Sequence, residues 1–119
     1  MEETKELLNT SYIEEFVAIA GTDPFKSALE LFQTGVVEYL DGCRACFAKH
    51  EYEDAGKELH KLKGAASSIG LQRLMVEAKA AELKLLADRE NYALDTEVAK
   101  LKDMAEQDVE ALEKYIAQL

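Results

Sequence analysis

A single proline, Pro24, occurs in this chain of 119 residues, so beyond it no residue forces a helix to break. After Pro24, apolar residues recur at helical spacing: Ala28, Leu31, Phe32, Val36, Tyr39, Leu40, Cys43 and Phe47 form one stripe over about five and a half turns. That spacing predicts a long helix from Pro24 towards Lys49, in which Gly35 and Gly42 permit close contacts. Upstream, Ile13, Phe16, Val17 and Ala20 mark a short helix over Thr10 to Ala20 that Gly21 stops. "TDPF" restarts the chain, with Asp23 or Thr22 as cap and Pro24 in the first helical position. A further helix spans about Tyr52 to Ile69 and ends at Gly70. The next runs from Leu71 to about Ala87 on Leu74, Met75, Ala78 and Leu85. After the turn "DREN", the last helix covers about Tyr92 to Gln118 and buries Leu94, Val98, Leu101, Ala105, Val109, Leu112 and Ile116. Long helices joined by short loops are antiparallel neighbours. The expected fold is all-α, an up-and-down four-helix bundle with a short N-terminal helix across one end, in a single domain over 1–119.

Composition agrees with this and narrows the function. The chain is 48% hydrophobic and 32% charged, as globular proteins are. It has no apolar run long enough to span a membrane, and its acidic start does not resemble a leader, so a cytoplasmic protein is expected. A net charge of −10 argues against nucleic acid as the partner. Within residues 57–73, however, Lys57, Lys61, Lys63 and Arg73 face only Glu58, a net of +3. An island of that sign suits a small anionic site.

The island surrounds a histidine. With residues placed about 100° apart around the third helix, Gly56, Lys57, Lys63, Gly64, Ser67 and Leu71 fall within roughly 60° of His60. Leu59, Leu62, Ala66 and Ile69 fall on the opposite side and face the core, and Glu58 projects that way too. His60 is therefore expected on the outer surface among small or cationic residues. Gly64 costs the helix about 1 kcal/mol relative to alanine, although alanines follow it directly. Open space beside the ring is a reason to keep it. A neutral imidazole is a good nucleophile, and Lys63, one turn on, could meet the charge of a phosphoryl group placed there. The chain has no loop of the GxxxxGK[ST] type for ATP, so the phosphate would arrive on another protein.

Competing constellations are weaker. "CRAC", Cys43 to Cys46, followed by His50, could begin a metal site, but no fourth ligand stands at a definite spacing. Redox CxxC pairs sit at helix N-termini, whereas this one lies deep within a helix. Both cysteines read as structural, with no metal and no disulfide expected. His50 reads as a helix-end residue satisfying carbonyls, and "EETKE" and "DREN" as solvated charge.

"HKLKGAASSIGL" resembles the signature of histidine-containing phosphotransfer (HPt) domains, in which His, Lys, Gly and a closing Gly fall where His60, Lys63, Gly64 and Gly70 stand. The opening "LLNTSYIEEFVAIAG" and closing "QDVEALEKYIAQL" look most like the HPt domains of anoxic-redox-control hybrid sensor kinases. Because the chain starts at Met1 and holds this domain alone, a free-standing relative is expected.

The resemblance implies that His60 takes a phosphoryl group from a receiver-domain aspartate, on Nε2, and passes it to another receiver. Lys63 would neutralise the phosphoryl charge, Gly64 would give the receiver room, and Gly70 would end the helix. Gly56, Lys57, Ser67 and Leu71 would rim the site. The first helix would add an apolar docking patch of Ile13, Phe16 and Val17. The implied partners are receiver domains of response regulators and hybrid histidine kinases, acting on a monomeric phosphocarrier rather than an independent enzyme. No resident cofactor is implied, since magnesium belongs to the receiver. Some relatives place an amide or basic side chain on the fourth helix near the histidine. Here Glu82 and Leu86 stand there, so no support of the phosphoryl group is expected from that helix. Two other readings remain open: a helical adaptor that binds a receiver or kinase without phosphotransfer, and a metal-responsive protein using Cys43, Cys46 and His50.

Overall fold

The structure, a computed structural model, describes residues 7–119. The charged stretch "EETKE", residues 2–6, lies outside the described residues. Helix α1, Thr10–Ala20, starts at Asn9, whose side chain accepts the Tyr12 amide at 3.3 Å, and stops at Gly21 with φ +92°. Helix α2, Thr22–Ala48, follows at once. Neither Thr22 nor Asp23 caps it, because both already lie inside the helix and Pro24 is its third residue. Asp23 instead places a carboxylate in the first turn, where the helix dipole favours it. Helices α3, Tyr52–Ser68, α4, Gln72–Ala87, and α5, Leu94–Ala117, complete the chain, with a short 3₁₀ turn, Arg89–Asn91, before α5.

Helix α2 packs on α3, α3 on α4, α4 on α5 and α5 back on α2, a four-helix square of antiparallel neighbours. Its core includes Leu59, Leu62, Leu74, Leu85, Leu101 and Leu112, all 2% exposed or less. Side chains of this size contribute roughly 1.5–3 kcal/mol each when buried. The buried stripe of α2 is rotated from the expected one: Phe25, Leu29, Phe32, Val36, Leu40 and Cys43 point inward, while Leu31 is 75% exposed. Leu29 and Leu31 fit helical spacing about equally well, and packing against α3 and α5 selects the row that includes Phe25. Ala20, placed on the inner stripe of α1 by its spacing, is also exposed. Gly42 makes room for Glu58 of α3, whose carboxyl carbon lies 3.0 Å from where a Cβ would stand.

Helix α1 lies over the end of the bundle formed by the start of α2, the end of α3 and the end of α5. The Asn9 amide donates to the Gly70 carbonyl at 2.8 Å, and the Tyr12 hydroxyl donates to the Ser68 carbonyl at 2.8 Å. Phe16 meets Phe25 edge-on at 5.0 Å, and the Tyr115 hydroxyl donates to Glu14 at 2.8 Å. At the opposite end, His50 adopts a left-handed φ of +61° to close α2, with the His50 and Glu51 amides returning to Phe47 and Cys46. Across the α4–α5 seam, Arg73 holds Asp108, the buried charged side chain of α5. No helix among the described residues is long and apolar enough to cross a membrane.

Candidate functional site

His60 sits midway along α3 with 61% of its side chain exposed, on the outer face. Its Nδ1 lies 3.3 Å from Oε1 of Glu82 on α4. An ionised carboxylate can only accept, so the neutral ring carries its proton on Nδ1 and turns the lone pair of Nε2 outward. The side chain of Glu82 is only 18% exposed, and packing therefore restrains its direction. Helix α4 thus does take part in the site, through the ring rather than through any group bound to it. Sequence spacing could not show this, since the residues are 22 apart and meet only because α3 and α4 are antiparallel.

The island of positive charge resolves into unequal members. Lys57 pairs with Asp54 at 3.7 Å, and Lys61 donates to Glu58 at 2.9 Å, a bond that raises the lysine pKa. Arg73 is committed to Asp108 and, more weakly, to Gln107 at 3.4 Å. Lys63, half-buried one turn from His60, has no carboxylate partner among the described residues. The net of +3 is therefore largely offset by neighbours, and Lys63 is the cation left available.

Space follows the same pattern. A Cβ added at Gly64 would meet nothing within 4 Å outside its own helix backbone, and Ser67 one turn further is exposed. On the other side of His60, Glu53, Gly56, Lys57, Glu82, Leu86 and Arg89 line a groove of about 400 Å³.

Several residues expected at the rim or in the docking patch are covered rather than open. Gly56 is buried, because the Leu86 side chain covers it; a Cβ there would lie 3.2 Å from that side chain. Leu71 is 0% exposed: α3 ends at Ser68, so the angular projection that placed Leu71 beside His60 does not extend to it. Ile13 is also 0% exposed, packed against Gly70, where a Cβ would stand 2.6 Å from its Cγ1. Val17 is half-buried against the core. Of the expected patch, half-buried Phe16 does line an open apolar surface of α1, together with Tyr12 and Ile19, the last 80% exposed. Gly70 ends α3 with φ +78°, and its missing side chain also seats α1.

The two cysteines differ in their surroundings. Cys43 is fully buried, and burial first, then Cys46 and Glu58, push its thiol up to about 11. Burial and the acidic neighbours Glu51, Asp54 and Glu58 raise Cys46 as well. His50 Nδ1 is engaged by the Tyr52 hydroxyl at 2.7 Å, and no three ligating side chains converge among the described residues.

The chain matches the family model described as the Hpt domain over residues 27–119. Among solved structures it is similar to the histidine-containing phosphotransfer domain of ArcB from Escherichia coli, with a TM-score of 0.77 and 23% identity over 98% of each chain. At that identity the likeness speaks for the fold. No curated protein sequence matches. With the family model covering α2 to α5 apart from the first turn and a half of α2, the chain belongs to the Hpt domain family.

Proposed function

We propose that this chain is a cytoplasmic phosphorelay intermediate, accepting a phosphoryl group on Nε2 of His60 from a receiver-domain aspartate and delivering it to another. The observation that carries the reading is the His60 ring, tied at Nδ1 to Glu82 and open at Nε2. The Nε2 lone pair forms the N–P bond as the P–O bond to the aspartate breaks, and the aspartate leaves as a carboxylate. The Nδ1 proton stays in place, so the ring becomes cationic next to the Glu82 carboxylate. Lys63 meets the phosphoryl oxygens, and the clear surface over Gly64 and Ser67 admits the receiver. Tyr12, whose hydroxyl meets Ser68 a helical rise of about 12 Å from His60, begins an apolar surface with Phe16 and Ile19 that offers the receiver a second contact. Magnesium for the aspartate chemistry is the receiver's.

A receiver carrying a labelled aspartyl phosphate should label this protein with an acid-labile phosphate, and His60→Gln should abolish the label. Label retained by the Gln variant would end the assignment. Receiver binding that is unchanged by His60→Gln, with no label on either protein, would point to an adaptor instead.

A further inference from the structure

The His60–Glu82 contact bridges α3 and α4; on the opposite side of the bundle, α2 and α5 leave an apolar trough open to solvent. Two cavities of about 300 and 370 Å³ lie end to end along it, with Gln33 and Glu113 lining both. Its floor is Leu29, Phe32, Val36, Val109 and Ile116, each still 4–6% exposed, and Val37 stands at the lip 56% exposed. Along α5 the lining runs from Lys102 to Ala117, roughly 22 Å at the helical rise.

The rim is acidic. Glu30, Glu106, Glu110 and Glu113 border the trough, against Lys26 and Lys102. Glu110 pairs with Lys114 on its own helix at 3.2 Å, but Glu30, Glu106 and Glu113 have no ion-pair partner among the described residues. Three ion pairs cross the α4–α5 seam, Arg73–Asp108, Lys84–Glu97 and Lys100–Glu77, whereas across α2–α5 the pair among the described residues is Arg44–Asp95 at 3.6 Å, outside the trough lining.

We propose that the trough docks an amphipathic helix of another protein, about four turns long, with one apolar stripe bordered by Lys or Arg. The floor supplies the apolar contact, and the unpaired carboxylates select the flanking charge. A second copy of a chain with net charge −10 would bring the wrong sign, as would an anionic membrane surface. The inference does not depend on the chemistry of His60.

The test titrates the isotope-labelled full chain with a helical peptide of about 15 residues whose leucines, at i, i+4, i+7 and i+11, are flanked by lysines. Backbone shifts should concentrate at Val36, Val37, Ala105 and Val109 and leave His60 and Gly64 unmoved. Glu106→Gln combined with Glu113→Gln should weaken binding about tenfold, and a peptide of the same composition with its leucines scattered should bind about tenfold more weakly. Shifts centred on α3, indifference to both changes, or no saturable binding would overturn the proposal. Self-association of the chain through this trough would assign it to a second copy instead.

Discussion

At the level of single residues, the site divides its work between groups that can be separated by substitution. Lys63→Ala should slow phosphotransfer at least about tenfold while leaving the melting temperature nearly unchanged, because no ion pair among the described residues holds Lys63. An unchanged rate would remove it from the mechanism. Glu82→Leu should also slow transfer, since it frees the ring to rotate and to place its proton on either nitrogen. Glu82→Gln, which can still accept from Nδ1, should restore much of the rate, and nitrogen chemical shifts of His60 would report the tautomer directly. If Leu and Gln behaved alike, the positioning role would fail. Gly64→Gln would fill the open surface and block receivers while favouring the helix. Gly70 responds in the opposite sense. Gly70→Ala requires a left-handed alanine and drives its Cβ into Ile13, a loss of about 3 kcal/mol by chemical denaturation.

Between elements, the decisive contacts are the ones periodicity could not show. The helices and their ends were legible because apolar spacing and glycine stops are local: Gly21 and Gly70 both mark helix ends with positive φ. His60, Lys63, Gly64 and Ser67 were legible because they share one face of one helix. Glu82 was placed near the histidine only through the resemblance and its bond to the ring was not foreseen, and Asp108 was not singled out, since each acquires its role from a partner on another helix. Leu71 was misplaced because a helical wheel says nothing beyond the last helical residue. The Arg73–Asp108 pair carries a pH signature. Burial outweighs Arg73 and holds the Asp108 carboxyl above its ordinary 3.8. The folded state therefore takes up this proton at a higher pH than the unfolded chain. The stabilising contribution is complete below 3.8 and is lost as pH rises through the raised folded value. Relative to Asp108→Asn, the native chain should lose stability across that window as pH increases, measured by urea unfolding at several pH values. A difference that changed in the other direction would mean that Arg73 dominates.

On the scale of the whole molecule, α1 is part of the cooperative unit rather than an appendage. Ile13 is fully buried on Gly70, and α1 reaches the bundle through Asn9, Tyr12, Phe16 and Glu14. Ile13→Ala should therefore lower global stability by about 3 kcal/mol in one transition seen alike by fluorescence and circular dichroism. A separate early transition would show that α1 folds apart from the rest. The two proposed surfaces lie on opposite sides of the bundle, the His60 face on α3 and α4 and the acidic trough on α2 and α5, so occupancy of one would leave the other free. In the proposed transfer the ring of His60 is held at Nδ1 by Glu82 and reacts at Nε2, so each handover would move phosphorus and no proton. Transfer run in heavy water should keep nearly the same rate as in light water, a solvent isotope effect near unity that hydrolysis by an activated water would not show.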